Sequence, residues 1–374
     1  MFPKIVLAAA ALISHTTSVV AWGAAGHEIV ATIAQIHLHP SVFPTMCAIL
    51  NFTSPNPDEP QCHLGPIATW ADTQRPKMPW SAPLHYVGAV DDYPSQTCAF
   101  PGPRGWADKH GANVLGGIRN VTDILMDWVY FNEAGRASTY QYEAANEALK
   151  FLVHFLGDMH QPLHLTGRDR GGNSIPVRFS GQKTSELRSP GIGPPLRAEQ
   201  ILSTSSPRIE YALRGTIYDS YVRMIMWEGI LGEWEDEIPD WLACPTPARP
   251  RFVSPPPYFG APSQQALSRI AGATDDALVC PHHWGTPIHL LNCAIVFPAA
   301  LDAPYNDTRP RISPAADPAP YMELDTAEYS GVISEGLVVE KLLAQAGIRL
   351  AGLLNYLFAD LGEEEGSRRL GVRS

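Results

Sequence analysis

Apolar positions recur at three- and four-residue spacing in three long stretches of the chain, and each stretch predicts a helix. In residues 137–160 the stripe is Ala148, Phe151, Leu152 and Phe155, the rhythm of one buried face of a 3.6-residue turn. Residues 28–38 carry the same signature, and residues 336–361, "GLVVEKLLAQAGIRLAGLLNYLFADL", form a third pattern of that kind. Period-two alternation is scarce, so the expected fold class is mainly α. Two stretches break the rhythm: residues 180–207 and 244–260 are rich in Pro, Gly and Ser and read as loops or insertions. No internal repeat is present.

The first 21 residues follow a different logic. Lys4 precedes an apolar run at residues 5–13, and Val19, Val20 and Ala21 close the segment with small residues, the layout of a secretory signal peptide at 1–21. The run is too short to span a bilayer; a buried N-terminal helix is the competing reading. Cleavage after Ala21 would make Trp22 the first residue of a mature 22–374 domain, with an atypical segment at 184–207 and a Pro-rich insertion at 244–263.

Composition extends this picture. A chain of 374 residues with six cysteines suits a sizeable core, one large domain or two smaller ones, in an oxidising, extracellular compartment. Asn51, Asn120 and Asn306 each open an Asn-x-Thr sequon, so a secreted glycoprotein is expected. The formal net charge is −11, and no Lys/Arg cluster stands out. The sequence thus gives no sign of a basic nucleic-acid groove; if the chain handles a polyanion, something other than lysine must supply positive charge, and bound metal is the candidate source.

The segment "FLVHFLGDMHQPLHLTGRDRGGN", residues 151–173, points the same way. His154 and Asp158 stand four apart and share a helix face. Pro162 then turns the chain and brings His164 back toward the helix end. Imidazole and carboxylate are ordinary zinc ligands, although a capped helix with a satisfied core histidine explains this segment equally well. Asp72 in "TWADTQR" and His85 in "APLHYVG" lie in short apolar contexts, where polar groups without partners are costly. A shared metal accounts for all of them more economically than separate hydrogen bonds.

With these residues in view, "WGAAGHEIVATIAQ", "TWADTQR", "PLHYVGA", "FLVHFLGDMHQPLH", "RGGN" and "DALVC" occur in the order seen in the S1/P1 nucleases, zinc-dependent single-strand-specific secreted nucleases of fungi and plants. The resemblance spans roughly residues 22–183 and resumes near Arg208. It implies a single helical domain of the phospholipase C / nuclease P1 type with three zinc ions in a cleft. Trp22 would ligate one ion through its α-amino nitrogen and carbonyl oxygen, beside His27, with Asp158 bridging to a second ion held by Asp72, His85 and His154. The implied reaction is in-line hydrolysis of phosphodiesters in single-stranded DNA and RNA, with 3′-nucleotidase action on nucleotides. Catalytic roles fall on Asp72, Asp158 and Arg75. Arg75 would approach phosphate, and Tyr86 would stack a base; a surface arginine and a core tyrosine are the plain alternatives. Cys98 and Cys280 match a family disulfide, while position suggests Cys47 with Cys62 and Cys244 with Cys293.

The third ion is where this chain departs from the family. His164 matches one of its ligands, but the stretch that should supply a histidine and an aspartate reads "QKTSELRSPGIGPPLRAEQILSTSS" and contains neither. Two zinc sites are expected intact and the third incomplete, unless Glu186, Glu199 or His160 substitutes. Where the family can carry an acidic base-binding residue, this chain has Gly88. A zinc phospholipase C-like phosphodiesterase and a catalytically impaired binding protein are the alternative functions. Neither a stable protein partner nor a membrane association is expected.

Overall fold

A capping box starts the helix that carries the predicted apolar stripe. The Ser138 side chain accepts from the Gln141 backbone N–H while the Gln141 side chain accepts from the Ser138 N–H, at 3.3 and 2.8 Å, so two end groups of the helix are satisfied reciprocally. In the computed structural model, which describes residues 22–52, 62–108, 111–172, 175, 177–179, 182–184, 220–245, 275–302 and 322–360, the helices before and including this one are α1 (Gly23–Ile36), α2 (Val42–Leu50), α3 (Trp70–Gln74), α4 (Val114–Glu133) and α5 (Thr139–Met159). Ser220–Met224 forms α6, which runs into a π-helical Ile225–Glu233, and Ile238–Leu242 forms α7. Pro281–Leu291 forms α8, Val332–Glu335 α9 and Val338–Phe358 α10. The fold is mainly α, as the periodicity predicts; the strands described are β1 (Val177–Phe179) and β2 (Gln182–Thr184), paired antiparallel with Val177 opposite Thr184.

Ala148, Phe151, Leu152 and Phe155 are all essentially inaccessible to solvent, and α5, which carries them, packs against α4, α10, α2, α1 and α3. The buried apolar residues join into one continuous cluster. Helix α1 begins five residues before the expected boundary because Ala24 and Ala25 favour the helix and Gly26 lets the chain close on Trp22: a Cβ there would lie 2.6 Å from Trp22 Cβ. The periodicity reading misses α2 to α4 and α6 to α9. In α4, Gly116, Gly117 and the β-branched Ile118, Val121 and Thr122 are poor helix formers. Gly117 nonetheless eases the packing, since a Cβ there would crowd the Phe155 ring at 3.2 Å. Helix α2 is short and ends at Asn51 in the left-handed region, φ 44°, with its last carbonyls accepting from Asn146 Nδ2 at 2.8 and 2.9 Å. No helix among the described residues is long and apolar enough to cross a membrane.

The cysteines pair as Cys47–Cys62, Cys98–Cys293 and Cys244–Cys280. The expected Cys98–Cys280 bond, and with it Cys244–Cys293, is therefore replaced. Cys280 precedes α8 and its sulfur lies against the Ala243 carbonyl, beside Cys244. Cys293 follows the other end of the helix, roughly 20 Å away at 1.5 Å per residue, and only there can Cys98 reach a partner.

Behind the C-terminal end of α5, the buried Arg349 donates from Nε to the Trp241 carbonyl at 2.8 Å and from Nη1 to His160 Nε2 at 2.7 Å. His160 in turn donates from Nδ1 to the Leu156 carbonyl at 2.6 Å. Burial and the Arg349 charge hold His160 well below its ordinary pKa. Both ring nitrogens are committed, so His160 is not a substitute ligand; Glu186 and Glu199 lie outside the described residues.

Helix α10 crosses α1 closely, since a Cβ on Gly347 would lie 2.4 Å from Ile33 Cγ2. Gly347→Val is expected to destabilise the protein by about 1–3 kcal/mol through overpacking, measured as a lower urea midpoint with an unchanged m-value.

Candidate metal centre

Helix α5 delivers His154 and Asp158 to one face, four residues apart, and the surrounding elements aim at them. His154 donates from Nδ1 to the Ala68 carbonyl at 2.7 Å, which leaves Nε2 as the ligating nitrogen. That Nε2 lies 3.2 Å from Asp158 Oδ2 and 3.7 Å from Asp72 Oδ2. Asp72 arrives on α3, one turn after Ala68. The 3₁₀ turn Pro79–His85 brings His85 Nδ1 to 2.9 Å from Asp158 Oδ2 and 3.9 Å from Asp72 Oδ1. From α1, His27 Nε2 approaches Asp158 Oδ1 at 3.5 Å, and its ring stacks on His154 with centroids 4.0 Å apart.

Glycine makes that stack fit: a Cβ on Gly157 would stand 2.6 Å from His27 Nδ1. The Trp22 indole donates to the Gly157 carbonyl at 2.8 Å, so Trp22 lies buried one residue from Asp158. His164 stands at the rim, its Nδ1 donating to the His85 carbonyl and lying 3.9 Å from Asp158 Oδ1. The structure thus gathers Trp22, His27, Asp72, His85, His154, Asp158 and His164, all the metal ligands expected from the sequence. Neither Gly157 nor the Ala68 carbonyl was anticipated; a glycine one residue before a helical Asp is the only sequence trace of either.

The donor set suits cations. His27, His154 and Asp158 form one group whose ligand atoms lie within 4.8 Å of one another, and Asp72, His85 and His154 form another. Both nitrogens of His27, and Nε2 of His85 and of His154, are buried without a hydrogen-bond partner. An unsatisfied buried polar atom costs about 1–3 kcal/mol, so a bare pocket of this kind is poorly explained as packing. Charge agrees. Burial alone would raise the Asp158 carboxyl, yet His154, His164 and His85 hold it well below the usual carboxylate range. Burial alone would lower His154, yet Asp158 and Asp72 raise it to about 9. Burial and neighbouring His154 push His27 well below its ordinary value. The site demands positive charge and has too few protons well placed to supply it.

Cys98, His289 and Cys293 also converge, but the two sulfurs are joined in a disulfide and offer no thiolate. Among the described residues, no further group of His, Cys, Asp or Glu able to hold an ion forms around His164. Arg75 Nη1 lies 3.3 Å from Asp72 Oδ1, and Tyr86 is 50% exposed next to His85. Gly88 admits no side chain: its Cβ would fall 2.8 Å from both Cα and N of Gly167. Asn51 is exposed and Asn120 half-buried on α4; Asn306 is outside the described residues.

The profile of the S1/P1 Nuclease family matches residues 22–189. The chain is 30% identical to Endonuclease 2 of Arabidopsis thaliana over 228 residues, covering 60% of this chain and 69% of that protein. It is 34% identical to Nuclease S1 of Aspergillus oryzae over 185 residues, covering 49% and 58%. Against Endonuclease 4 of Arabidopsis thaliana, identity is 26% over 354 residues, with 92% of each chain covered.

Gly157→Ala should displace the His27 ring and weaken the ion it would hold by about 10–100-fold, the usual cost of disturbing a ligand's support. Elemental analysis after mild dialysis is expected to show a fall of one ion per chain; unchanged metal content would contradict the stacking constraint.

Proposed function

Since the chain belongs to the S1/P1 nuclease family, we propose that it is a secreted zinc-dependent nuclease hydrolysing phosphodiesters of single-stranded DNA and RNA, with 3′-phosphate removal from nucleotides as a side activity. The observation that carries the metal dependence is the convergence of His27, Asp72, His85, His154 and Asp158 with unpartnered nitrogens turned inward. His27 and Asp158 would hold one ion and Asp72, His85 and His154 the other, with Asp158 reaching both. Trp22, buried against Gly157, would add its α-amino nitrogen to the first ion once the leader is removed. When bound, the pair of ions would supply positive charge to a phosphate and lower the pKa of a water toward about 7.

The chain's own side chains would then place the substrate. Asp158 balances the charge of the two ions, and Asp72 keeps Arg75 at the pocket edge, where its guanidinium can meet a phosphate oxygen. Tyr86 offers an exposed ring to an unpaired base, which a duplex would withhold. His164 lacks the two family partners that would complete a third site, so the rate is expected to be low for this family.

Asp158→Asn should abolish hydrolysis of a single-stranded oligonucleotide and empty both ion sites, whereas His164→Ala should change metal content little. Tyr86→Ala should raise KM for single strands by the equivalent of about 1–3 kcal/mol with little change in metal content. Full activity in Asp158→Asn would overturn the reading.

A further inference from the structure

Beyond the metal centre, the backbone does something unusual at the rim. Asp169, Arg170, Gly171 and Gly172 all have positive φ, at 47, 61, 67 and 77°, four consecutive residues in the left-handed region. Glycine takes that conformation without strain, whereas an arginine does so at a cost that persists only where the surroundings impose it. Here they do. The Arg168 side chain is fully buried, with its guanidinium lying between the Tyr93 and Phe297 rings at 4.2 and 4.7 Å. It donates to Ser95 Oγ at 2.7 Å and to Asp302. Its backbone N–H donates to Thr166 Oγ1 at 3.2 Å, and its carbonyl accepts from Gly172 N–H at 3.0 Å. Thr166 in turn donates to Asp92. The turn is thus clamped from the segment that follows Tyr86 and from the segment that ends at Asp302.

The clamp presents one side chain. Arg170 is exposed, and its N–H donates to the Gly167 carbonyl at 3.3 Å. Gly167 is the residue packed on Gly88, two positions after Tyr86. On the other side, the turn folds onto the His164 segment, since a Cβ on Gly171 would lie 2.6 Å from the Leu163 carbonyl oxygen. The rim turn therefore stands beside both the exposed tyrosine and the metal centre. On a chain of net charge −11, Arg170 places an exposed cation at this rim. We propose that Arg170 is a substrate-binding residue whose guanidinium contacts a backbone phosphate of the strand whose base lies on Tyr86. The inference rests on the nuclease reading for the identity of the ligand.

The test uses zinc-loaded protein beginning at Trp22 and a fluorescent single-stranded oligonucleotide with phosphorothioate linkages, read by anisotropy across a salt series, with cleavage of the ordinary oligonucleotide run in parallel. Arg170→Gly should raise Kd about tenfold, the size of one charge-assisted contact. It should also reduce the slope of log affinity against log salt by about 0.7, the value for one phosphate on a single strand. Arg170→Lys should keep the slope. Because glycine relieves the backbone, Tm of Arg170→Gly should not fall, and zinc content should not change. Unchanged affinity and slope in Arg170→Gly overturn the assignment, as does a lowered Tm, which would make the side chain structural. Wild-type protein that binds the strand without cleaving it overturns the nuclease reading alone; wild-type protein that does not bind overturns both.

Discussion

One carboxylate organises this protein. Asp158 is buried at the end of α5 with imidazole nitrogens of His85, His154, His27 and His164 at 2.9, 3.2, 3.5 and 3.9 Å. An isolated buried carboxylate is strongly unfavourable, and neutral imidazoles turned toward it satisfy it only in part, so the cluster is stable only when positive charge is shared within it. The helices around Asp158 are placed by that requirement as much as by apolar packing. Helix α1 brings His27, α3 brings Asp72, the 3₁₀ turn brings His85, and each approaches the same face of α5.

Small residues make the approach feasible. Gly157 admits the His27 ring, Gly117 admits Phe155, and Gly347 lets α10 press on Ile33. Each gives up helix propensity, of about 1 kcal/mol relative to alanine, for a closer crossing. The convergence of the candidate ligands therefore depends on side-chain absence at specific positions as well as on the ligands' own chemistry. On the far side of α5, the Arg349–His160 pair anchors α10 to the helix that carries the ligands, so the two faces of one helix separate chemistry from support.

Much of this was legible in the sequence, for identifiable reasons. His154 and Asp158 declare themselves because an i, i+4 pair on an amphipathic helix has a fixed geometry. His160 sits two residues beyond Asp158, about 200° around the helix, which is why it faces Arg349 and does not serve as the substitute ligand left open by the sequence. Asp72 and His85 are marked locally only by their short apolar contexts, and which ion each would join became legible through the order of motifs along the chain. The disulfides were harder still: pairing depends on the length of α8, which separates Cys280 from Cys293 and which no spacing between cysteines reveals. The glycine contacts and the Ala68 carbonyl were invisible because backbone and missing side chains leave little trace in composition. The left-handed run at 169–172 was hidden in the same way, since only two of its four residues are glycine.

On the reading proposed above, one buried carboxylate would serve two ions while the position at His164 stays incomplete. Anomalous diffraction at the zinc absorption edge, on crystals of the zinc-loaded protein, tests it directly. Two peaks are predicted, one bordered by His27 and Asp158 and the other by Asp72, His85 and His154. A single ion, no ion beside Asp158, or a third full-strength peak at His164 would contradict it.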